Sequence, residues 1–239
     1  MIKVESVYKS FGPQKVLDNI SLEIKPGEIF VIIGESGTGK SVLLKHLIGV
    51  LKPDSGKIII DDKDITSLSE KELLPLRKNI GYLFQEGALY DFMNVFDNVA
   101  FPLREHTKFS EDEVRERVRE VLASLSLVGV EEKFPVELSG GMKKRVGLAR
   151  AIVLSSSILL CDEPTSGLDP IRSRDISGLI HDVAKKMHCT TVITSHDIHN
   201  SMRIADRLAL LHKGRVAAIG NQEELKACTD PFVRDFINP

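Results

Sequence analysis

The stretch IFVIIGESGTGKS, residues 29–41, constrains the fold of this chain more than any other. Its apolar run suits a strand buried on both faces, as in a parallel sheet covered by helices. The turn that follows fits the spacing GxxxxGK[ST] in full. Gly34, Gly37 and Gly39, with Ser36 between them, let backbone N–H groups turn toward phosphate oxygens. A helix starting directly after the glycines adds its positive end. Lys40 is then placed to reach the β- and γ-phosphates and Ser41 to ligate a magnesium ion, with Val42 closing the phosphate-contacting stretch. Glu35 has to point away, because its charge would repel the phosphates. The expected fold class is therefore α/β, with its site at the carboxyl ends of the strands.

Other segments carry the same logic. DNISLEI, 18–24, alternates Ile20, Leu22 and Ile24, the pattern of a half-buried antiparallel strand. ILLC (158–161) and TTVITS (190–195) read as further buried strands. Two acids close the first of these. Asp162 suits the water shell of a magnesium ion, and Glu163 sits where it polarises a water for attack on a γ-phosphate. The second ends in His196, at the same sheet edge, as a γ-phosphate contact. Gln85 follows the apolar run IGYLF. A glutamine there can reach magnesium or the attacking water and also sense its own loop; the alternative, a loop residue without that contact, stays open.

The middle of the chain changes character. In SEDEVRERVREVLASLSLVG, 110–129, Ser110 and Glu113 stand at capping-box spacing. Val114, Val118, Val121, Leu122 and Leu125 recur on one helical face, so a mainly helical insertion is expected over about 86–148. At its end lies LSGGMKKR, 138–145, glycine-rich and basic like a second phosphate cradle. It has no GK[ST] after it and no apolar strand before it, but a helix follows, KKRVGLARAIVL. Ser139 and the N–H groups of Gly140 and Gly141 suit a phosphate at that helix N-terminus. The phosphate need not be the one held by the same chain. Two chains paired head to tail would each close the other's glycine loop, giving two whole sites from two halves.

Composition removes several classes. A net charge of −2 gives no broad basic field for nucleic acid. The longest apolar runs fall far short of the roughly 20 residues a bilayer crossing needs. The start, MIKVESVYKS, lacks an apolar signal core, so a cytosolic protein is expected. Cys161, Cys189 and Cys228 form no CxxC pair and read as free thiols, with neither disulfide framework nor zinc site. A GTPase is disfavoured because no NKxD motif occurs.

The set as a whole resembles the ATPase subunits of ABC transporters, nearly end to end. The glycine loop is at 34–41, the Q-loop at Gln85, the signature at 138–142, Walker B at 158–163, the D-loop SGLD at 166–169 and the switch histidine at His196. The resemblance implies a RecA-like core from 1–85 and 149–239, an antiparallel β subdomain and a helical subdomain. It implies ATP with Mg²⁺ sandwiched between two subunits, Asp169 beside the nucleotide, and Phe11 stacking on adenine where the family more often has tyrosine. Residues 84–107, the MKKR that follows the signature glycines, and DPFVRDFI (230–237) are similar to MlaF-type ATPases of Mce-linked phospholipid transporters. That branch implies an integral membrane permease and an Mce-domain partner, with this chain peripheral at the inner face of the cytoplasmic membrane. The alternatives are an ABC ATPase for amino acids or lipoproteins, or a soluble type acting in iron–sulfur assembly.

Overall fold

The computed structural model describes residues 1–237. β1 (Ile2–Phe11) and β2 (Gln14–Ile24) form an antiparallel hairpin in which Ile20, Leu22 and Ile24 are buried, as their alternation predicts. β3 (Ile29–Ile33) is buried at every position, and α1 (Lys40–Leu47) leaves the glycine loop after it. β4 (Ser55–Ile60) and β5 (Lys63–Asp64) join the hairpin in a sheet of order β2-β1-β4-β5. α2 (Glu70–Lys78) then leads into β6 (Ile80–Leu83). Three helices follow: α3 (Val95–His106), α4 (Glu111–Ser124) and α5 (Gly140–Ile152). β7 (Ile158–Asp162), α6 (Pro170–Met187), β8 (Thr190–Ser195), α7 (Ile198–Ile204), β9 (Arg207–His212) and β10 (Arg215–Gly220) come next. Two short helices, α8 (Gln222–Lys226) and α9 (Pro231–Ile237), end the described chain.

The second sheet has the order β10-β9-β3-β8-β7-β6 and is parallel except for β10. β3 lies inside it, and its side chains alternate between two cores. Ile29, Val31 and Ile33 join the core formed with α3 to α6, whereas Phe30 and Ile32 join the one under the antiparallel sheet and α1. Each such side chain contributes roughly 1.5–3 kcal/mol by burial. A polar residue on either face of β3 would therefore cost about as much as its apolar neighbours gain.

Register fixes where the site falls. Asp162 pairs with Thr194, Cys161 with Leu83, and Ser195 with Ile33. The loops after β3, β6, β7 and β8 therefore converge on one edge.

α4 starts with the expected capping box: Ser110 N–H donates to Glu113 Oε2 at 2.7 Å. α5 covers most of KKRVGLARAIVL, the helix expected after the glycines, and runs through Ile152, with Ala149, Ala151 and Ile152 in the core beside β6. Among the described residues no helix is long and apolar enough to cross a membrane.

Candidate functional site

The glycine loop closes around Lys40. Its ammonium, on a residue only 4% exposed, donates to the carbonyls of Gly34 and Glu35, both at 2.9 Å. Gly39 makes the tight entry to α1 possible. It sits at φ 100°, and a Cβ there would lie 2.8 Å from the Leu17 side chain and 2.9 Å from the Val16 carbonyl. Gly37 and Ser36 form the exposed tip, and Glu35 is exposed as its charge requires. Val42 packs its side chain against the core, so only its backbone N–H, in the first turn of α1, is left to face a ligand.

Opposite the loop, Asp162 gathers three hydroxyls. Ser41 Oγ donates to its Oδ1 at 2.7 Å, Thr194 Oγ1 to the same oxygen at 2.8 Å, and Tyr82 O–H to Oδ2 at 3.3 Å. Burial, aided by the Asp162 charge, pushes the Tyr82 phenol up, so it remains a donor. Glu163 turns away from the strand with φ 41°, a left-handed conformation costing a non-glycine residue about 1–3 kcal/mol. Its N–H is taken by Thr194 Oγ1 at 3.0 Å, which holds the turn. The carboxylate then reaches two cations or potential cations: Lys40 Nζ lies 3.3 Å from Oε1, and His196 Nδ1 lies 3.2 Å from Oε2.

Gln85 Nε2 donates to Ser166 Oγ at 3.3 Å, tying the loop after β6 to the loop after β7. Asp169 caps α6, its Oδ1 accepting from Ile171 and Arg172 N–H at 3.1 and 3.0 Å. Those N–H bonds, that of Arg172 first, lower its carboxyl pKa. Ser139 caps α5 by accepting from Met142 N–H at 3.3 Å, with Gly140 and Gly141 in the first turn. Among the described residues, no hydrogen bond or ion pair joins 139–141 to 34–41. Phe11 stands exposed at the end of β1, with Lys9 Nζ 5.6 Å from its ring centroid. The partner strand of its hairpin crosses Gly39 at Val16 and Leu17.

The structure thus joins Lys40, Ser41, Asp162, Glu163 and His196 in one bonded cluster. Gln85 and Asp169 lie in loops at the same edge, and Ser139, Gly140 and Gly141 stand apart. Sequence reasoning missed Thr194, Tyr82 and Arg150, and it placed Ser166 in the D-loop without its contact to Gln85. Thr194 was findable as a hydroxyl inside an apolar strand, two residues before His196. Arg150 donates to the carbonyls of Gly87 and Ala88, each at 2.8 Å, and so fastens the loop after Gln85 to α5. Thr194→Val removes one hydroxyl that serves both acids and is expected to cost about 1–3 kcal/mol of stability. Urea denaturation checks it, with Thr194→Ser expected to restore most of the loss.

A glycine loop wrapped around a lysine, beside a Ser–Asp pair and a strand-end glutamate, is the arrangement of a P-loop nucleotide-binding protein. Comparison with known proteins narrows the class. A profile described as ABC transporter matches residues 17–166. The chain is 48% identical over 237 residues to "Probable ribonucleotide transport ATP-binding protein mkl" of Mycobacterium tuberculosis, an alignment covering 99% of this chain and 66% of that protein. It is 40% identical to "Intermembrane phospholipid transport system ATP-binding protein MlaF" of Haemophilus influenzae, over 99% of this chain and 90% of that one. A solved structure of the ATP-binding cassette MJ0796, a dimer bound to ADP and Pi, superposes with a TM-score of 0.85 at 32% identity, over 92% of this chain and 98% of that one. The chain belongs to the ABC transporter family. It spans 66% of the length of the Mycobacterium tuberculosis relative.

Proposed function

We propose that this chain drives a membrane permease that moves phospholipid, together with an Mce-domain lipid-binding partner, at the inner face of the cytoplasmic membrane. The observation that carries the reading is an exposed aromatic patch directly after Gln85. In α3, Val95 and Val99 are fully buried, while Phe92 just before it is 76% exposed. Tyr90 packs against Phe92 and Phe101 with ring centroids 5.7 and 5.4 Å apart. The Arg150 guanidinium lies 5.6 Å from the Tyr90 ring, so the bonds that fix the Gln85 loop also fix the patch. Beside it runs a cleft of about 450 Å³ lined by Phe84, Tyr90, Phe101 and Pro102. Aromatic anchors beside a groove suit a docked helix. The relative named for intermembrane phospholipid transport supports the choice of cargo, as does the likeness of 84–107 to the MlaF branch.

In this reading Glu163 takes a proton from the attacking water, with His196 holding its carboxylate. Lys40 and the loop N–H groups from Gly34 to Val42 bind the phosphates, and Phe11 stacks on the base. Ser41 and Asp162, already paired at 2.7 Å, offer the hydroxyl and carboxylate oxygens that magnesium prefers. Among the described residues no cluster of three His, Cys, Asp or Glu could hold a metal. That fits an ion whose remaining ligands are water and nucleotide phosphate, with Gln85 within reach of it. Magnesium bound there would neutralise charge on the β- and γ-phosphates. The exposed turn at Ser139, Gly140 and Gly141 faces a second copy of the chain, placed head to tail, and Asp169 faces the same composite site. Residues 86–148 act as the helical coupling part, and 1–85 with 149–239 as the nucleotide core.

Phe92→Glu is expected to abolish co-purification with the permease while MgATP affinity stays within about twofold, because no residue of the phosphate loop lines the cleft beside the patch. The companion measurement is phospholipid transfer between liposomes by the wild-type complex. Normal binding and transfer by the variant would reject the patch as the docking surface. A second reading, ribonucleotide transport, is favoured by the name of the 48%-identical mycobacterial relative. Wild-type complex that moves ribonucleotides or amino acids but no lipid would replace the phospholipid proposal.

A further inference from the structure

Arg150 contacts none of the acids or hydroxyls of the site, yet it holds the turn that carries Gln85. The Phe84 carbonyl accepts from Gly87 N–H at 2.9 Å, which closes a four-residue turn with Gln85 and Glu86 at its centre. The Arg150 guanidinium donates to the next two carbonyls along the chain, those of Gly87 and Ala88, each at 2.8 Å. Its other neighbour is the Tyr90 ring, and among the described residues no carboxylate lies within ion-pair reach of it. A guanidinium bonded to neutral carbonyls holds backbone, and its planar fork meets two acceptors at once.

The backbone it holds has an uncommon shape. Gly87 lies at φ 77° and Ala88 at φ 47°, so two successive residues are left-handed. For alanine that conformation is unfavourable and persists only where its surroundings impose it. α5 imposes it from one face. A Cβ on Gly87 would lie 3.1 Å from the Lys143 carbonyl, and a Cβ on Gly147 would lie 3.1 Å from the Gly87 Cα. Lys143, Gly147 and Arg150 follow the spacing i, i+4, i+7, so all three meet the loop from one stripe of the helix. The two glycines let helix and loop touch, and Arg150 supplies the bonds that keep them together. Gln85 reaches out of the same turn: its Nε2 donates to Ser166 Oγ, in the loop after β7, at 3.3 Å. That bond is long, so the place of the side chain depends on the backbone beneath it.

We propose that Arg150 is a positioning residue for Gln85: by pinning Gly87 and Ala88 to α5 it fixes the turn from which the Gln85 side chain reaches the reaction centre. The inference rests on the reading of Gln85 as a group that contacts magnesium or the attacking water. Arg150 touches no reacting atom in this role, and its effect passes wholly through the turn.

The test uses the full chain, assayed for MgATP turnover and, without nucleotide, for amide hydrogen exchange across residues 84–90. Arg150→Met keeps the apolar stem and removes the donors. It is expected to lower kcat about tenfold with KM for ATP changed less than about twofold, the pattern of an interaction that matters after binding. Exchange across 84–90 is expected to speed up about tenfold or more, with the strands unaffected. In a Gln85→Ala background the same substitution is expected to cost less than about twofold, because the two residues act as one unit. Arg150→Lys is expected to recover only part of kcat, since a single ammonium lacks the fork that holds both carbonyls. Wild-type kcat or wild-type exchange in Arg150→Met would overturn the proposal. So would a full tenfold loss in the Gln85→Ala background, which places the effect outside the turn. If Arg150→Met does not fold, Arg150→Lys carries the same comparison; failure of both to fold would mark Arg150 as a packing element and overturn the proposal. Gln85→Ala at the wild-type rate fails the reading of Gln85, and this inference with it, whereas an impaired Gln85→Ala beside a fully active Arg150→Met fails this inference alone.

Discussion

Glu163→Gln is expected to slow ATP hydrolysis by about 10²- to 10⁴-fold while nucleotide still binds, the usual worth of a general base. The substitution isolates proton acceptance. Glutamine keeps the shape of the side chain and can still contact Lys40 and His196, the two groups at 3.3 and 3.2 Å from the carboxylate. The left-handed turn at this residue is held by the backbone bond to Thr194, which the change leaves alone. What is lost is the ability to take a proton from water. Phosphate binding rests on Lys40 and the loop N–H groups, so the variant is expected to trap MgATP and to accumulate as a nucleotide-bound dimer. Single-turnover hydrolysis and light scattering with ATP check both parts. Turnover near the wild-type rate would remove Glu163 from the chemistry and leave it as a brace for Lys40.

The parts of this site that lie along one stretch of chain were legible before the structure. The glycine loop is local, so its spacing alone places Lys40 and Ser41 at a helix start. The strands at 29–33, 158–161 and 190–195 were legible because a parallel strand covered on both faces is apolar throughout. The pairing of strands was not. That Asp162 stands beside Thr194 is a fact of β7–β8 register, and nothing in either segment alone states it. Arg150 escaped for the same reason: it lies 62 residues from Ala88, whose carbonyl it binds. The aromatics after Gln85 were only half readable. The spacing of Val95, Val99 and Leu103 marks a buried face of α3, but the exposure of Phe92 depends on how the loop from β6 to α3 is held against α5. Ser139 and its glycines illustrate a different limit. In the proposed head-to-tail pair a single chain would hold half of their site, and among the described residues no hydrogen bond or ion pair joins them to the glycine loop.

The other large effect is expected from Lys40→Ala, which should weaken MgATP binding by roughly 30- to 5000-fold, equivalent to about 2–5 kcal/mol for losing one partner of a buried charge contact. Two losses combine. The ammonium is the one cation inside the glycine loop, and a polyphosphate entering that loop brings several negative charges. The same ammonium also shapes the loop, since it bonds the Gly34 and Glu35 carbonyls at 2.9 Å. Alanine therefore removes both the attraction and a scaffold. Lys40→Arg separates them. A guanidinium keeps the charge, but its rigid fork does not fit the space of a compact ammonium, so arginine is expected to bind nearly as poorly as alanine. Free Lys40→Ala protein is expected to remain folded, because the glycine loop lies at the surface and the strands beneath it keep their packing. Calorimetric titration with MgATP, with circular dichroism of the same samples, provides the measurement. Wild-type affinity in a folded Lys40→Ala protein would mean that the phosphates are held elsewhere. The contact between Lys40 and Glu163 would then be a structural ion pair, with no part in the chemistry.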